Sequence, residues 1–326
     1  MSSVLILGGT SWLGGEIARH AVLRGHDVTC FARGESGDAP STVTFVPGDR
    51  SEPHAYDQLL DRPWDLVIDV SRQPGQVRSA LEALGWMTSH WTFVSTGSVY
   101  ADQSGPLTED SPLLEPVEGD VADPETYGEG KVACERAVRS HPHHLVIRVG
   151  LIGGPGDRSD RLGYYVSRFA TAGDEAVLVP DVASQPMQVI DVRDLAYWIV
   201  AAAEAGSTGI VHGAGEQTTV GELVRLSAEV AGYSGQQVRA DEEWLRSRQV
   251  EEWMGPRSLP LWLPASHHGM GLMDDARALE HGLVRRPVVE TLRDTLTYER
   301  TQGLDRSRKA GLSRDDELEL LADLTR

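Results

Sequence analysis

The chain predicts an α/β protein: a doubly wound parallel sheet joined to a smaller C-terminal cap. Three observations carry this. Short β-rich runs alternate with helical stretches through the first 150 residues, which implies βαβ units. A glycine-rich turn, Gly8-Gly9-Thr10-Ser11-Trp12-Leu13-Gly14, directly follows the first β-rich run and opens the first helix. Beyond Gly150 the alternation loses its regularity.

Taken in order, Val4–Leu7 reads as a buried strand and Leu13–Leu23 as a helix that Gly25 ends. Further strands are expected at Asp27–Phe31, Val43–Val46, Trp64–Val70, Trp91–Ser95 and His144–Val149. Gly153–Asp157 is a turn, Met187–Ile190 another strand, and Asp191–Ala203 a helix capped by Asp191. Thr218–Val230 is a further helix. The expected division is 1–152 with 186–213 for the sheet domain, and 153–185 with 214–326 for the cap. Trp244, Trp253 and Trp262 are expected to be core of the cap.

Length and composition fit a globular protein: 326 residues, 40% hydrophobic and 24% charged. No apolar run approaches the roughly 20 residues that span a bilayer. The first residues lack a basic segment and enter a strand directly, so a cytoplasmic protein is expected. Two cysteines, Cys30 and Cys134, read as reduced thiols. A net charge of −19 argues against a nucleic-acid partner, because phosphate neutralisation needs a basic surface. His141, His143, His144, His267 and His268 have no carboxylate or cysteine companions at ligand spacing, so no metal is expected. Asp191 and Asp194 read as helix capping rather than as an acid pair.

The glycine turn supplies what a pyrophosphate needs: sharp turning, close backbone approach, and a helix amino terminus presenting free N–H groups. Tyr127-Gly128-Glu129-Gly130-Lys131 is the sharper signal. Four residues apart on a helix, tyrosine and lysine share a face. A free phenol, with pKa about 10, is a poor base at neutral pH, and a neighbouring ammonium lowers that value. Only one other lysine, Lys309, occurs in the chain.

These segments resemble the short-chain dehydrogenase/reductase superfamily, in its extended or atypical branch. The family pattern Gly-x-x-Gly-x-x-Gly is met at Gly8 and Gly14, with Ser11 at the middle position. The resemblance continues through Phe93–Tyr100, Ile147–Asp157 and Gln188–Ala196, covering roughly the first 215 residues. It implies a Rossmann-type sheet, a substrate-binding cap and a nicotinamide cofactor. Gly8, Thr10, Ser11, Trp12, Leu13, Val70, Ser71 and Val149 would line that cofactor, with Tyr127 and Lys131 at its reactive end. Asp49 resembles the family's adenine-contacting acid. Thr96 takes the catalytic hydroxyl role beside Tyr127 and Lys131, with Ser95 or Ser98 as the alternative. The second strand ends without an acid and with Arg33, which suits a 2′-phosphate, so NADP(H) is expected over NAD.

Leu151 stands where nucleotide-sugar epimerases of the family usually carry asparagine. The expected activity is therefore reduction or oxidation of a small-molecule carbonyl or secondary alcohol. An epimerase or dehydratase that regenerates its cofactor is the near alternative. A non-catalytic cofactor sensor, or an RNA binder like the chloroplast stem-loop binding members, is the distant one. A homodimer is expected by resemblance.

Overall fold

The computed structural model describes residues 1–324. Its main sheet has seven strands. These are β1 (Ser3–Leu7), β2 (Asp27–Ala32), β3 (Thr44–Pro47), β4 (Trp64–Asp69), β5 (Thr88–Thr96) and β6 (His144–Val149), with an outer strand at Gly209–Gly213. The spatial order runs from that outer strand through β6, β5, β4, β1 and β2 to β3, and every pairing is parallel. The order reverses between β1 and β4, so a crevice opens at their carboxyl ends.

Alternation along the strands explains both faces. Val4, Ile6, Val28, Cys30, Ile68 and Ile147 point to one side, beneath α1 (Trp12–Leu23). Leu5, Leu7, Phe31, Val67, Phe93 and Val146 point to the other, beneath α2 (Pro74–Leu84) and α3 (Tyr127–Val138). Burial on both faces is why these strands read as near-continuous apolar runs rather than alternating ones.

Beyond β6 come β7 (Leu151–Gly153), α4 (Arg161–Ala172), β8 (Val177–Pro180), β9 (Pro186–Asp191) and α5 (Val192–Glu204). The outer strand Gly209–Gly213 is β10, followed by β11 (Gln217–Thr219) and α6 (Val220–Ala231). Helix α5 packs with α1 on the first face, and Asp191 caps it by accepting from the Arg193 amide at 2.9 Å. The strand expected at Met187–Ile190 forms, but it belongs to a three-stranded sheet with β7 and β11 rather than to the main sheet. The seventh main-sheet strand, β10, was not anticipated. Its sequence Gly-Ile-Val-His-Gly is short and bounded by glycines, so it gives little periodic signal.

A separate core holds the cap. Tyr165, Val166 and Phe169 of α4 meet Leu223 and Val224 of α6, the strands β7 and β8, and Leu292 and Leu296 of a late helix, Val288–Gln302. Trp262 is fully buried there, whereas Trp244 and Trp253 are only partly buried against it. Cys30 and Cys134 are both free and buried, and burial pushes each thiol up to about 12, so neither is a nucleophile at neutral pH. Among the described residues no helix is long and apolar enough to cross a membrane.

Candidate active site

The glycine turn sits at the carboxyl end of β1, in the crevice. Gly8 adopts φ 97°, and a Cβ at Gly14 would lie 2.2 Å from the Gly8 carbonyl oxygen, so neither position tolerates a side chain. A Cβ on Gly9 would strike the Cys30 Sγ at 2.4 Å. Ser11 caps α1: its hydroxyl accepts from the Gly14 amide at 3.2 Å and donates to the Gly8 carbonyl at 2.8 Å. That single proton is spent inside the turn. A phosphate is therefore left to the amides of Trp12 and Leu13, first-turn donors that have no intrahelical acceptor. Gly14→Ala is expected to cost about 1–3 kcal/mol through overpacking, seen as a lower melting temperature together with loss of dinucleotide binding in titration. An alanine variant that binds normally would contradict this reading of the turn.

From the turn a cleft of about 640 Å³ extends past Thr10, Arg33, Asp49, Val70 and Ser71. Asp49 accepts from the Ser51 amide at 2.9 Å, which with the nearby Arg33 holds its carboxyl below the usual range. Arg33 lies 3.8 Å from Asp49 and 3.0 Å from Glu35. Glu35 also lines this cleft, so an acid does stand near the end of β2, three residues past it. A strand-end search misses it because the turn at Gly34 brings it back.

Arg50 forms the floor. Its guanidinium grips fully buried Asp69 at 2.8 and 2.9 Å and also bonds the Ser71 hydroxyl at 2.8 Å. Burial opposes that charge, but Asp69 outweighs it and holds the guanidinium pKa above its ordinary value. Ser71 passes the order onward, since its carbonyl accepts from Lys131 Nζ at 2.7 Å.

Lys131 is buried, and a second bond, to the Val94 carbonyl at 2.6 Å, fixes it between β4 and β5. An ammonium has three donors, so one remains for a ligand. Tyr127, the first residue of α3 and half-buried, stands one turn earlier on the same face. The strand end of β5 brings Thr96 to this edge, next to Val149 in register on β6. Thr96 Oγ1 accepts from the Ser98 amide at 3.2 Å and contacts the Ser98 hydroxyl at the same distance. Ser95 is committed elsewhere, donating to Glu135 at 2.5 Å.

Behind this edge lies a polar network that the sequence reading did not find. Glu135 and Arg148, 2% and 1% exposed, pair at 2.8 Å. Arg148 also donates to the Tyr100 hydroxyl at 3.0 Å, and Tyr100 contacts His212 Nε2. The His212 Nδ1 faces the Asp274 carbonyl at 2.6 Å, which makes Nδ1 the donor and Nε2 the acceptor of the Tyr100 proton. Burial pushes the Tyr100 phenol up to about 12, which suits a structural role. A signal was available: Glu135 continues the four-residue spacing of Tyr127 and Lys131, and Arg148 interrupts an apolar strand.

The turn after β7 completes the site. The Trp12 indole donates to the Pro155 carbonyl at 2.9 Å and so ties this turn to the glycine turn. Asp157 accepts from both the amide and the hydroxyl of Ser159, at 2.8 and 2.9 Å. Burial nevertheless raises its pKa. Arg161 follows at the start of α4, stacked over Trp253 with its guanidinium carbon 4.3 Å from the ring centre. Neither residue was singled out from the sequence, because lone polar residues in a turn carry no spacing signal. His141, by contrast, can donate from Nε2 to the Thr88 carbonyl at 3.2 Å and accept at Nδ1 from the His143 amide at 3.3 Å.

A dinucleotide crevice of Rossmann type with a Tyr-Lys pair at its edge defines a short-chain dehydrogenase-like protein. The NAD dependent epimerase/dehydratase family model matches residues 4–215, and the chain belongs to that family. The chain is 28% identical over 253 residues to the chloroplast stem-loop binding protein of 41 kDa b of Arabidopsis thaliana, an alignment covering 71% of this chain and 63% of that one. Among solved structures, a putative epimerase from Burkholderia cenocepacia superposes with a TM-score of 0.70 at 20% identity, covering 92% of this chain and 98% of that one. The UDP-glucuronic acid 4-epimerase of Bacillus cereus, in complex with NAD, gives 0.68 at 16% identity, covering 92% and 99%. These structural likenesses establish the fold. The cofactor class that family and crevice support is a nicotinamide dinucleotide.

Proposed function

We propose that the protein is an NADP(H)-dependent oxidoreductase acting on a carbonyl or secondary alcohol of a small molecule. The observation that carries this is Lys131, buried and pinned by two carbonyls, one helical turn from Tyr127 at the edge where β5 delivers Thr96. The fit to the cofactor is specific: the amides of Trp12 and Leu13 would hold the pyrophosphate, and the cleft past Arg33 and Asp49 the adenosine half. Lys131 would hold the nicotinamide ribose with its remaining proton. When bound, the nicotinamide supplies hydride transfer.

The protein's own residues handle the proton. In oxidation the Tyr127 Oη takes the substrate hydroxyl proton, and in reduction it returns one. Lys131 fixes the edge on which Tyr127 stands through its two carbonyl bonds, and the Thr96 hydroxyl orients the substrate oxygen. Residues 153–185 and 214–326 would select the substrate.

Arg33 decides the cofactor. Its ion pair with exposed Glu35 is solvent-screened and worth little, so the guanidinium is free to turn to a 2′-phosphate. Arg33→Ala is expected to weaken NADPH binding about tenfold or more while NADH changes little, read by fluorescence titration. Equal loss for both, or none, would remove the NADP preference.

The reaction itself is tested by supplying NADPH with a panel of carbonyl compounds and following both nucleotide and product. Stoichiometric NADPH consumption supports a reductase. Product without net consumption would favour the epimerase or dehydratase reading, which the family and its likeness to an NAD-bound epimerase also support. Failure to bind either nucleotide would overturn both.

A further inference from the structure

Almost every arginine of this protein that is withdrawn from solvent has a carboxylate to meet it: Arg50 has Asp69, Arg148 has Glu135, Arg168 has Glu317, and Arg308 has Glu299. Arg161 is different. Among the described residues it is the arginine that is neither exposed nor in ion-pair contact with a carboxylate. Desolvation lowers its pKa, against the raising influence of Asp157 and of Tyr127, both of which lie within electrostatic reach. Leaving a desolvated cation without a counterion is costly, and the cost is ordinarily removed by a partner.

Its surroundings hold it still and leave one edge open. The guanidinium face stacks on Trp253, and Nε donates to the Ser159 hydroxyl at 3.0 Å. Asp157 uses both oxygens on Ser159, so it positions the arginine through that hydroxyl rather than neutralising it directly. What remains is the pair of terminal nitrogens, the planar fork that matches a carboxylate or phosphate.

The backbone is also strained to achieve this placement. Asp160, immediately before Arg161, has φ 64°, and Trp253 has φ 66°. Neither is glycine, and such conformations persist only where the surroundings over-determine them. At Asp160 they do: its carboxylate is held by Arg306 and by the Lys309 amide, the latter at 2.8 Å. Two left-handed residues thus flank an unpaired guanidinium and its stacking partner, on a segment that the Trp12–Pro155 bond ties to the glycine turn, with Tyr127 within electrostatic reach.

We propose that Arg161 is the anion receptor of the substrate site, so that the molecule processed at Tyr127 carries a carboxylate or phosphate near its reacting carbon. This rests on the reading of Tyr127 and Lys131 as the reaction centre, and it narrows the substrate class from any small carbonyl or alcohol to an acidic one. It also fits a protein of net charge −19, which needs a local cation to receive an anionic substrate against its own field.

The test is protection from an arginine-directed dicarbonyl reagent, mapped by peptide mass spectrometry on the full chain preloaded with NADP+. Inorganic phosphate and malonate are the two probes, with sodium chloride at matched ionic strength as the reference. Modification of Arg161 is expected to slow at least fivefold with one probe or both, while exposed Arg139 and Arg300 keep their rates. The arm that protects identifies phosphate or carboxylate as the preferred group. Equal slowing at all three arginines means an adventitious ion only and overturns the proposal. So does an Arg161 that neither probe protects, or that the reagent never reaches. NADP+ binding measured on the same sample separates the two claims. Without it the oxidoreductase reading fails, whereas with it an unprotected Arg161 sinks the anion receptor alone.

Discussion

Tyr127→Phe is expected to lower turnover by about 10²–10⁴-fold while leaving dinucleotide binding within a small factor of the parent. The substitution removes one oxygen from a half-buried position at the first turn of α3 and keeps the ring. The glycine turn, the Arg50–Asp69 floor and the bonds from Lys131 to the Ser71 and Val94 carbonyls do not involve that hydroxyl, so the crevice stays formed. What disappears is the hydroxyl that the proposed mechanism uses to exchange the substrate proton. Lys131→Met separates the two duties of the lysine. It too should depress turnover, and it should weaken cofactor binding as well, because it orphans two carbonyls and removes the donor left for the ribose. Initial rates and nucleotide titrations on both variants check this. A phenylalanine variant retaining more than about a tenth of the parent rate would move the proton transfer to another residue, since general acid–base groups are worth more than that.

The parts of this molecule that were legible in the sequence are those where a local rule acts alone. The parallel sheet shows because strands buried on both faces are apolar throughout. The glycine turn shows because its spacing is dictated by contacts within the turn itself, such as Gly14 against the Gly8 carbonyl. The pairing of Tyr127 with Lys131 is helical geometry. Less legible were features that need two distant segments to meet. Glu35 enters the cofactor cleft only because the chain doubles back at Gly34. Arg161 meets Trp253 across 92 positions of sequence, and nothing in either local segment announces the other. Trp262 is fully buried in the cap core. Trp253 packs against the same core while lending its ring face to a guanidinium. The hydroxyl of Ser11 illustrates a different limit. Its residue type suited a phosphate donor, but within the turn the Gly8 carbonyl claims its proton first.

Glu135→Ala is expected to be the most damaging single change to stability, at about 3–5 kcal/mol. The carboxylate is 2% exposed and accepts from Arg148 through both Nε and a terminal nitrogen, as well as from Ser95. Burial works against the Arg148 charge, and Glu135 is what holds its pKa above the ordinary value. Removing the acid leaves that buried cation without the carboxylate that meets it at 2.8 Å. The pair as a whole need not stabilise the fold, because the desolvation of two charges offsets their attraction. The discriminating variant is therefore the double replacement Glu135→Leu with Arg148→Met, which removes both charges and keeps the volume. Denaturant unfolding should recover most of the lost stability in the double variant relative to Glu135→Ala. Activity should not recover with it. Ser95 and Tyr100, which this network holds, flank Thr96 on either side of the strand end, so an apolar replacement restores packing without restoring their hydrogen bonds. If the double variant regained full activity, the network would be a matter of folding only. A stable but slow double variant would place it among the groups that position Thr96 for the reaction.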